Sequence, residues 1–278
     1  MQDNSILNLK GYEELNECIN QWKIMSENRK NYPVDAKDFL PNYFWIAEKG
    51  SGIPLLIDQI TKQLYELKIH PFSNVRHHIE FLLDYDKDAT RFESFERLYN
   101  LLEHGLSQYG EPYAGVLLIN ITEWVEAGVF FDKRFIRFLE YLTQRDDHQM
   151  IILLSESNRI TDNKKIECLI SSYLRIRTIH IQKSEPEDYL SKVIEMLDNA
   201  NFTISDDAIK IIKETIELAM VKRGFNGLQT IKNLGKEIVY IKMARQKMSQ
   251  NHIEVEDLTY FFPDGEWLTQ LNIGLDGI

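Results

Sequence analysis

Five short apolar runs punctuate the first part of the chain: Tyr43–Ala47, His78–Leu83, Gly115–Ile121, Gln149–Ser155 and Ile176–Ile181. Each is too short for a helix and is bounded by polar or turn-forming residues, so each predicts a buried strand. Between them, apolar residues recur at helical spacing over Glu13–Asn28, Leu55–Leu67, Ser94–Tyr109 and Lys133–Gln144. In the last of these, Phe135, Phe138, Leu139 and Leu142 fall on one face. Strands alternating with helices predict an α/β domain, a parallel sheet covered on both faces.

After Ile181 only the helical period remains. Ser184-Glu185-Pro186-Glu187 reads as a capping box with an early proline, followed by the stripe Leu190, Val193, Ile194 and Leu197. Ser205 is placed to cap a second helix whose stripe is Ile209, Ile212, Ile216 and Ala219, with Gly224 as its stop. A third helix is expected over 227–247, carried by Leu228, Ile231, Leu234, Ile238 and Ile241. The pattern therefore divides the chain at about residue 183, with an α/β domain over 1–183 and a helical domain over 184–278.

Composition narrows the function. The chain has 278 residues, a formal net charge of -11 and 32 Lys+Arg against 43 Asp+Glu, a balance that repels a phosphate backbone and argues against nucleic acid as partner. No apolar run approaches the roughly 20 residues of a membrane span, and Met1-Gln2-Asp3-Asn4 lacks the charged and apolar regions of a secretory leader. A soluble cytoplasmic protein without a membrane partner is the expectation. Cys18 and Cys168 read as two separate thiols, and no zinc spacing exists. On a strand His78 and Glu80 share a face, but no third ligand accompanies them, so no metal site is assigned. Ser155-Glu156-Ser157 lacks the nucleophile elbow of a hydrolase.

The most informative segment follows the first strand: Ala47-Glu48-Lys49-Gly50-Ser51-Gly52-Ile53-Pro54, then a helix. Strand, glycine loop and helix is the context in which backbone N–H groups cradle a phosphate, which makes Gly50, Ser51 and Gly52 the candidate cradle. An ordinary tight turn would also use these glycines. In a working loop the next two residues are a lysine that meets the β/γ-phosphates and a serine or threonine that holds magnesium. Here they are Ile53 and Pro54, one uncharged and the other without hydroxyl or N–H. The strand Gly115–Ile121 ends in Asn120 and Ile121, where a magnesium-holding and water-polarising acidic pair would stand.

In the order and spacing of these segments the chain resembles the AAA+ superfamily of P-loop ATPases, and within it the red-type Rubisco activase and stage V sporulation protein K branch. The resemblance runs from about Leu9 to Asp257 and is carried by Leu9–Leu15, Tyr43–Gly52, Met150–Ser155 and Gly224–Asn233, which look like the entry segment, phosphate loop, sensor 1 strand and sensor 2 helix. It implies a five-stranded parallel sheet in the order 5-1-4-3-2 and a C-terminal all-helical lid. It also implies where catalytic groups should stand. The arginine-finger position reads Ser172, with Arg175 and Arg177 nearby, and the sensor 2 arginine reads Gln229. Ile53, Pro54, Asn120, Ile121, Ser172 and Gln229 together leave no hydrolytic machinery, so the expectation is a pseudo-ATPase without a cofactor. Its work would be scaffolding or regulation of a protein partner, an active AAA+ subunit or a second copy. Alternatives are a module that still binds nucleotide without hydrolysing it, and an enzyme with rebuilt chemistry.

An interaction surface is suggested by Lys222, Arg223, Lys232, Lys236, Lys242, Arg245 and Lys247, which make 222–247 basic in an acidic protein. Lys232, Lys236 and Lys242 lie off the apolar stripe and read as a docking face for an acidic neighbour, or as a solvated face. Tyr260, Phe261, Phe262 and Trp267 either pack back on the lid or supply apolar anchors to a partner.

Overall fold

The computed structural model describes residues 11–28, 40–69, 78–85, 93–100, 116–129, 131–144, 150–222, 224–244 and 251–259. They group into two units, one drawn from Met1–Lys49 and Leu56–Gln182, the other from Gly50–Leu55 and Lys183–Ile278. The glycine loop therefore belongs with the second unit, although the strand before it and most of the helix after it belong with the first.

In the first unit, strands β1 (Asn42–Ala47), β2 (His78–Leu82), β3 (Val116–Asn120), β4 (Met150–Ser155) and β5 (Ile176–Ile181) form one sheet in the order β2-β3-β4-β1-β5. Every pairing is parallel, for example Phe44 opposite Leu153 and Thr178. The five apolar runs and the expected order 5-1-4-3-2 are thus observed. Helices α1 (Glu13–Asn28), α2 (Ile53–Glu66), α3 (Glu93–Asn100), α4 (Thr122–Ala127), α5 (Lys133–Gln144) and α6 (Ile160–Tyr173) accompany the sheet. One face of the sheet builds a core of Phe44, Leu117, Ile119, Ile151 and Leu153 with Phe95, Trp124, Phe135, Phe138 and Leu142 from the helices. On β1 the alternate residue Tyr43 accepts a 2.9 Å hydrogen bond from Trp22 Nε1 of α1. Cys18 is buried, which pushes its thiol up to about 11, while Cys168 is exposed on α6; both are free.

The second unit holds α7 (Pro186–Asn199), α8 (Asp206–Met220), α9 (Gly227–Ala244) and α10 (Val255–Thr259). The helical lid carries one feature the periodicity omits: β6 (Thr203–Ile204) and β7 (His252–Ile253) pair in parallel, so the unit is not entirely helical. The cap of α7 is Glu185, not Ser184; its N–H donates to Asp188 Oδ2 at 3.3 Å, and Ser184 is buried instead. Ser205 caps α8 as expected, accepting from Ala208 N–H at 3.3 Å. That helix stops at a Val221 cap, so Gly224 is not its terminator.

Candidate functional site

β1 ends at Ala47, and Glu48 N–H donates to Ile181 O at 2.9 Å. Glu48 and Lys49 are exposed. Gly50 and Gly52 then adopt left-handed φ values of 87° and 79°, which only glycine takes without strain. Ser51 and Gly52 between and after them are buried. Ile53, expected at the lysine position, is the first residue of α2 and only 5% exposed. Pro54 is exposed in the first turn, where its missing N–H costs the helix nothing.

Against this loop lies the start of α9. A Cβ added to Gly227, whose φ is 48°, would stand 2.2 Å from Gly50 O and 3.0 Å from Gly52 N. One added to Gly50 would meet Phe225 O at 3.0 Å, and one added to Gly52 would meet Leu228 N at 3.5 Å. Lys183 Nζ, close by, donates to Met220 O at 2.9 Å and sits 5.2 Å from the centre of the Phe225 ring.

The ends of β3 and β4 are tied to each other within the first unit. Asn120 Oδ1 accepts from Thr122 N–H at 3.0 Å and from Thr122 Oγ1 at 2.6 Å, a side-chain turn that launches α4. Thr122 Oγ1 in turn accepts from Glu156 N–H at 2.9 Å. Ile121 is fully buried in the aromatic core, and its N–H donates to Leu154 O at 2.8 Å. Beside them Ser155 Oγ is 2.7 Å from Asn163 Oδ1, Asn163 Nδ2 donates to Ser157 O at 2.8 Å, and all three residues are buried. The polar atoms at this end of the sheet are therefore engaged in shaping α4 and α6.

Glu156 is the one acid here with a resolved perturbation. Burial raises its carboxyl above the ordinary value of 4.5, and the nearby Lys49 charge opposes the rise. A raised carboxyl in the fold binds its proton more tightly than in the unfolded chain. Stability is therefore lost as pH climbs from the ordinary carboxylate range through the raised value. Glu156→Gln is expected to raise the melting temperature at pH 7 and leave it unchanged at pH 3. Melting curves at the two pH values check this, and equal shifts at both would remove the titration as the cause.

The remaining sequence-derived positions scatter. Ser172 is exposed at the end of α6, its Oγ donating to Leu169 O at 2.6 Å. Arg175 is exposed, whereas Arg177 is tied to Gln21 and Glu17 of α1 and so is a structural arginine. In the second unit Gln229 Nε2 donates to Asn233 Oδ1 at 3.0 Å within α9. Lys232 and Lys236 are exposed, as the docking stripe requires. Lys242 is not part of that stripe: it is 13% exposed and lies 2.7 Å from Asp257 Oδ2. The expectation that Lys242 lies on a docking or solvated face is corrected accordingly. Trp267 and the aromatic tail from Tyr260 lie outside the described residues, as do the side chains of His78 and Glu80. Among the described residues no three metal-ligating side chains converge, and no helix is long and apolar enough to cross a membrane.

No protein-family model matches the chain, and no curated protein matches its sequence. Its backbone is similar to solved structures. A proline-to-glycine mutant of RuvB from Thermotoga maritima superposes with a TM-score of 0.51 at 11% identity, covering 91% of this chain and 68% of that one. Domain III of the Thermotoga maritima replication initiation protein DnaA superposes with a TM-score of 0.51 at 12% identity, covering 95% and 97%. Both neighbours are AAA+ modules, and this chain shares their P-loop NTPase-like α/β fold.

Proposed function

We propose that this chain is an AAA+-fold module that does not hydrolyse ATP and acts by associating with a protein partner, either an active AAA+ subunit or a second copy of itself. The observation that carries the reading is the chemistry at the ends of β1 and β3. A buried isoleucine and a proline occupy the lysine and hydroxyl positions, and an asparagine already bound to Thr122 and a core isoleucine occupy the acidic pair. A cation at the transferring phosphate supplies on the order of 10³–10⁵ in rate, and Ser172 and Gln229 bring none. The order of the entry segment, glycine loop, sensor 1 strand and sensor 2 helix favours the Rubisco activase and stage V sporulation protein K branch. The net charge of -11 favours a protein partner over nucleic acid.

Phosphate release from Mg·ATP is expected to stay at the protein-free rate. Turnover that disappears on mutating Glu48, Lys49 or Glu156 would sink the reading, because it would mean rebuilt chemistry at this edge.

Association is expected to use the exposed face of α9. Lys232→Glu with Lys236→Glu should fold normally and weaken self-assembly or partner capture up to about thirtyfold at low salt, since exposed ion pairs contribute below about 1 kcal/mol each. The difference should shrink at high salt. Identical mass in solution and identical capture at both salt concentrations would make the stripe a merely solvated face.

A further inference from the structure

A phosphate loop works because consecutive backbone N–H groups surround an open concavity. An oxygen bound there sits about 2.9 Å from a backbone nitrogen, and the rest of the phosphoryl group extends further out. Around Gly50–Gly52 the backbone of residues 225–228 packs closely on the loop. The Gly227 position approaches Gly50 O and Gly52 N so closely that a single added carbon would overlap one and crowd the other. A carbon added at Gly50 would be crowded by Phe225 O at 3.0 Å, and one added at Gly52 would meet Leu228 N at an ordinary contact distance of 3.5 Å. Gly52, Phe225, Gly227 and Leu228 are all buried, and Ser51 has no exposed surface. Glycine at 227 is required twice: for its left-handed φ of 48° and for the absence of a side chain.

We infer that residues 225–228 are a built-in plug: the chain fills its own phosphate cradle with the backbone at the start of α9, and the loop keeps its closed shape without a nucleotide. The residues present therefore do not fit the Mg·nucleotide that this fold commonly holds. The misfit is steric as well as chemical, because the missing lysine and hydroxyl alone would leave an empty cradle. The inference rests on the non-hydrolysing reading only in taking Gly50–Gly52 as the former phosphate loop.

Three measurements test it. First, a fluorescent ATP analogue with magnesium is titrated into the wild-type protein, and no saturable signal is expected up to the millimolar range. Second, Ile53→Lys with Pro54→Thr restores the missing groups, and the folded double variant is expected to remain without binding. Third, Gly227→Ala is compared with Gly128→Ala. Gly128 also has a left-handed φ, 68°, but nothing lies within 4 Å of an added Cβ, so its substitution carries backbone strain alone. Gly227→Ala is expected to lower the melting temperature at least twice as far, and an insoluble Gly227→Ala beside a soluble Gly128→Ala counts with the larger loss.

Saturable binding by the wild type, binding gained by the double variant, or equal losses for the two alanines would each overturn the plug. Binding without turnover defeats only this inference, whereas hydrolysis defeats the non-hydrolysing reading as well.

Discussion

Replacing Lys242 with methionine is expected to destabilise the second unit by about 3–5 kcal/mol, the cost of removing one partner of a buried ion pair. Lys242 Nζ lies 2.7 Å from Asp257 Oδ2, with side chains only 13% and 8% exposed. The same carboxylate oxygen accepts from Glu254 N–H at 2.9 Å, fixing the turn into α10. Methionine keeps most of the apolar stem but removes the charge, so the buried Asp257 carboxylate loses its ammonium partner. The pair spans α9 and α10, and its loss should free the short helix α10 first.

A double variant, Lys242→Met with Asp257→Leu, should recover most of the loss, because it removes the buried carboxylate together with its ammonium partner. By contrast Lys232→Glu and Lys236→Glu, both exposed, should each stay within about 0.5 kcal/mol of the wild type. Urea unfolding followed by circular dichroism separates these cases. A Lys242→Met midpoint indistinguishable from wild type would mean that water reaches the pair and that Lys242 belongs with the stripe after all.

The Lys242 case also marks where sequence reading stops. Helical spacing put it on a polar face together with Lys232 and Lys236, and nothing within one helix reveals a partner 15 residues further on. The sheet was legible because each strand is a compact apolar run, as expected when both faces are covered. Helix α6 was not, because one of its three buried positions is Asn163, which sits among Ile166 and Ile170 to hold Ser155 and Ser157. A polar residue in the buried row breaks the period that identifies a helix. Helix α4 has six residues and the β6–β7 strands two each, too few for any period to register.

At the candidate site, Gly-x-Gly after a strand located the loop, and Ile53, Pro54, Asn120 and Ile121 differ from the residues expected of a working phosphate loop and acidic pair. What covers the loop was not readable. Gly227 looked like a helix start, and its approach to Gly50 depends on a tertiary contact between segments far apart in the chain.

The segment after β3 carries the other large expectation. Trp124→Ala should cost about 3–5 kcal/mol, the range for deleting a buried aromatic. Trp124 is 1% exposed, with ring centroids at 4.8 Å from Tyr85, 5.3 Å from Phe95 and 5.5 Å from Phe135. Its Nε1 donates to Asp84 O at 3.2 Å, joining α4 to the end of β2. The Arg134 guanidinium lies 5.2 Å from its ring centre and is held by Asp132 at 2.7 Å, which draws the Asp132 carboxyl below its ordinary range.

The Asn120 side chain is what starts this helix, through its two contacts with Thr122. The end of β3 is thus a hook for an aromatic core, and under the proposed function it does no magnesium chemistry. The consequence is testable at Asn120 itself. Asn120→Asp keeps an oxygen that can accept from both Thr122 donors, so it should be nearly neutral in stability and should gain no turnover. Asn120→Leu cannot accept and should cost about 1–3 kcal/mol through the donors it leaves unpaired. If Trp124→Ala costs under about 1 kcal/mol, or if Asn120→Asp brings Mg-dependent phosphate release, then the β3 end is a reaction platform rather than a packing element.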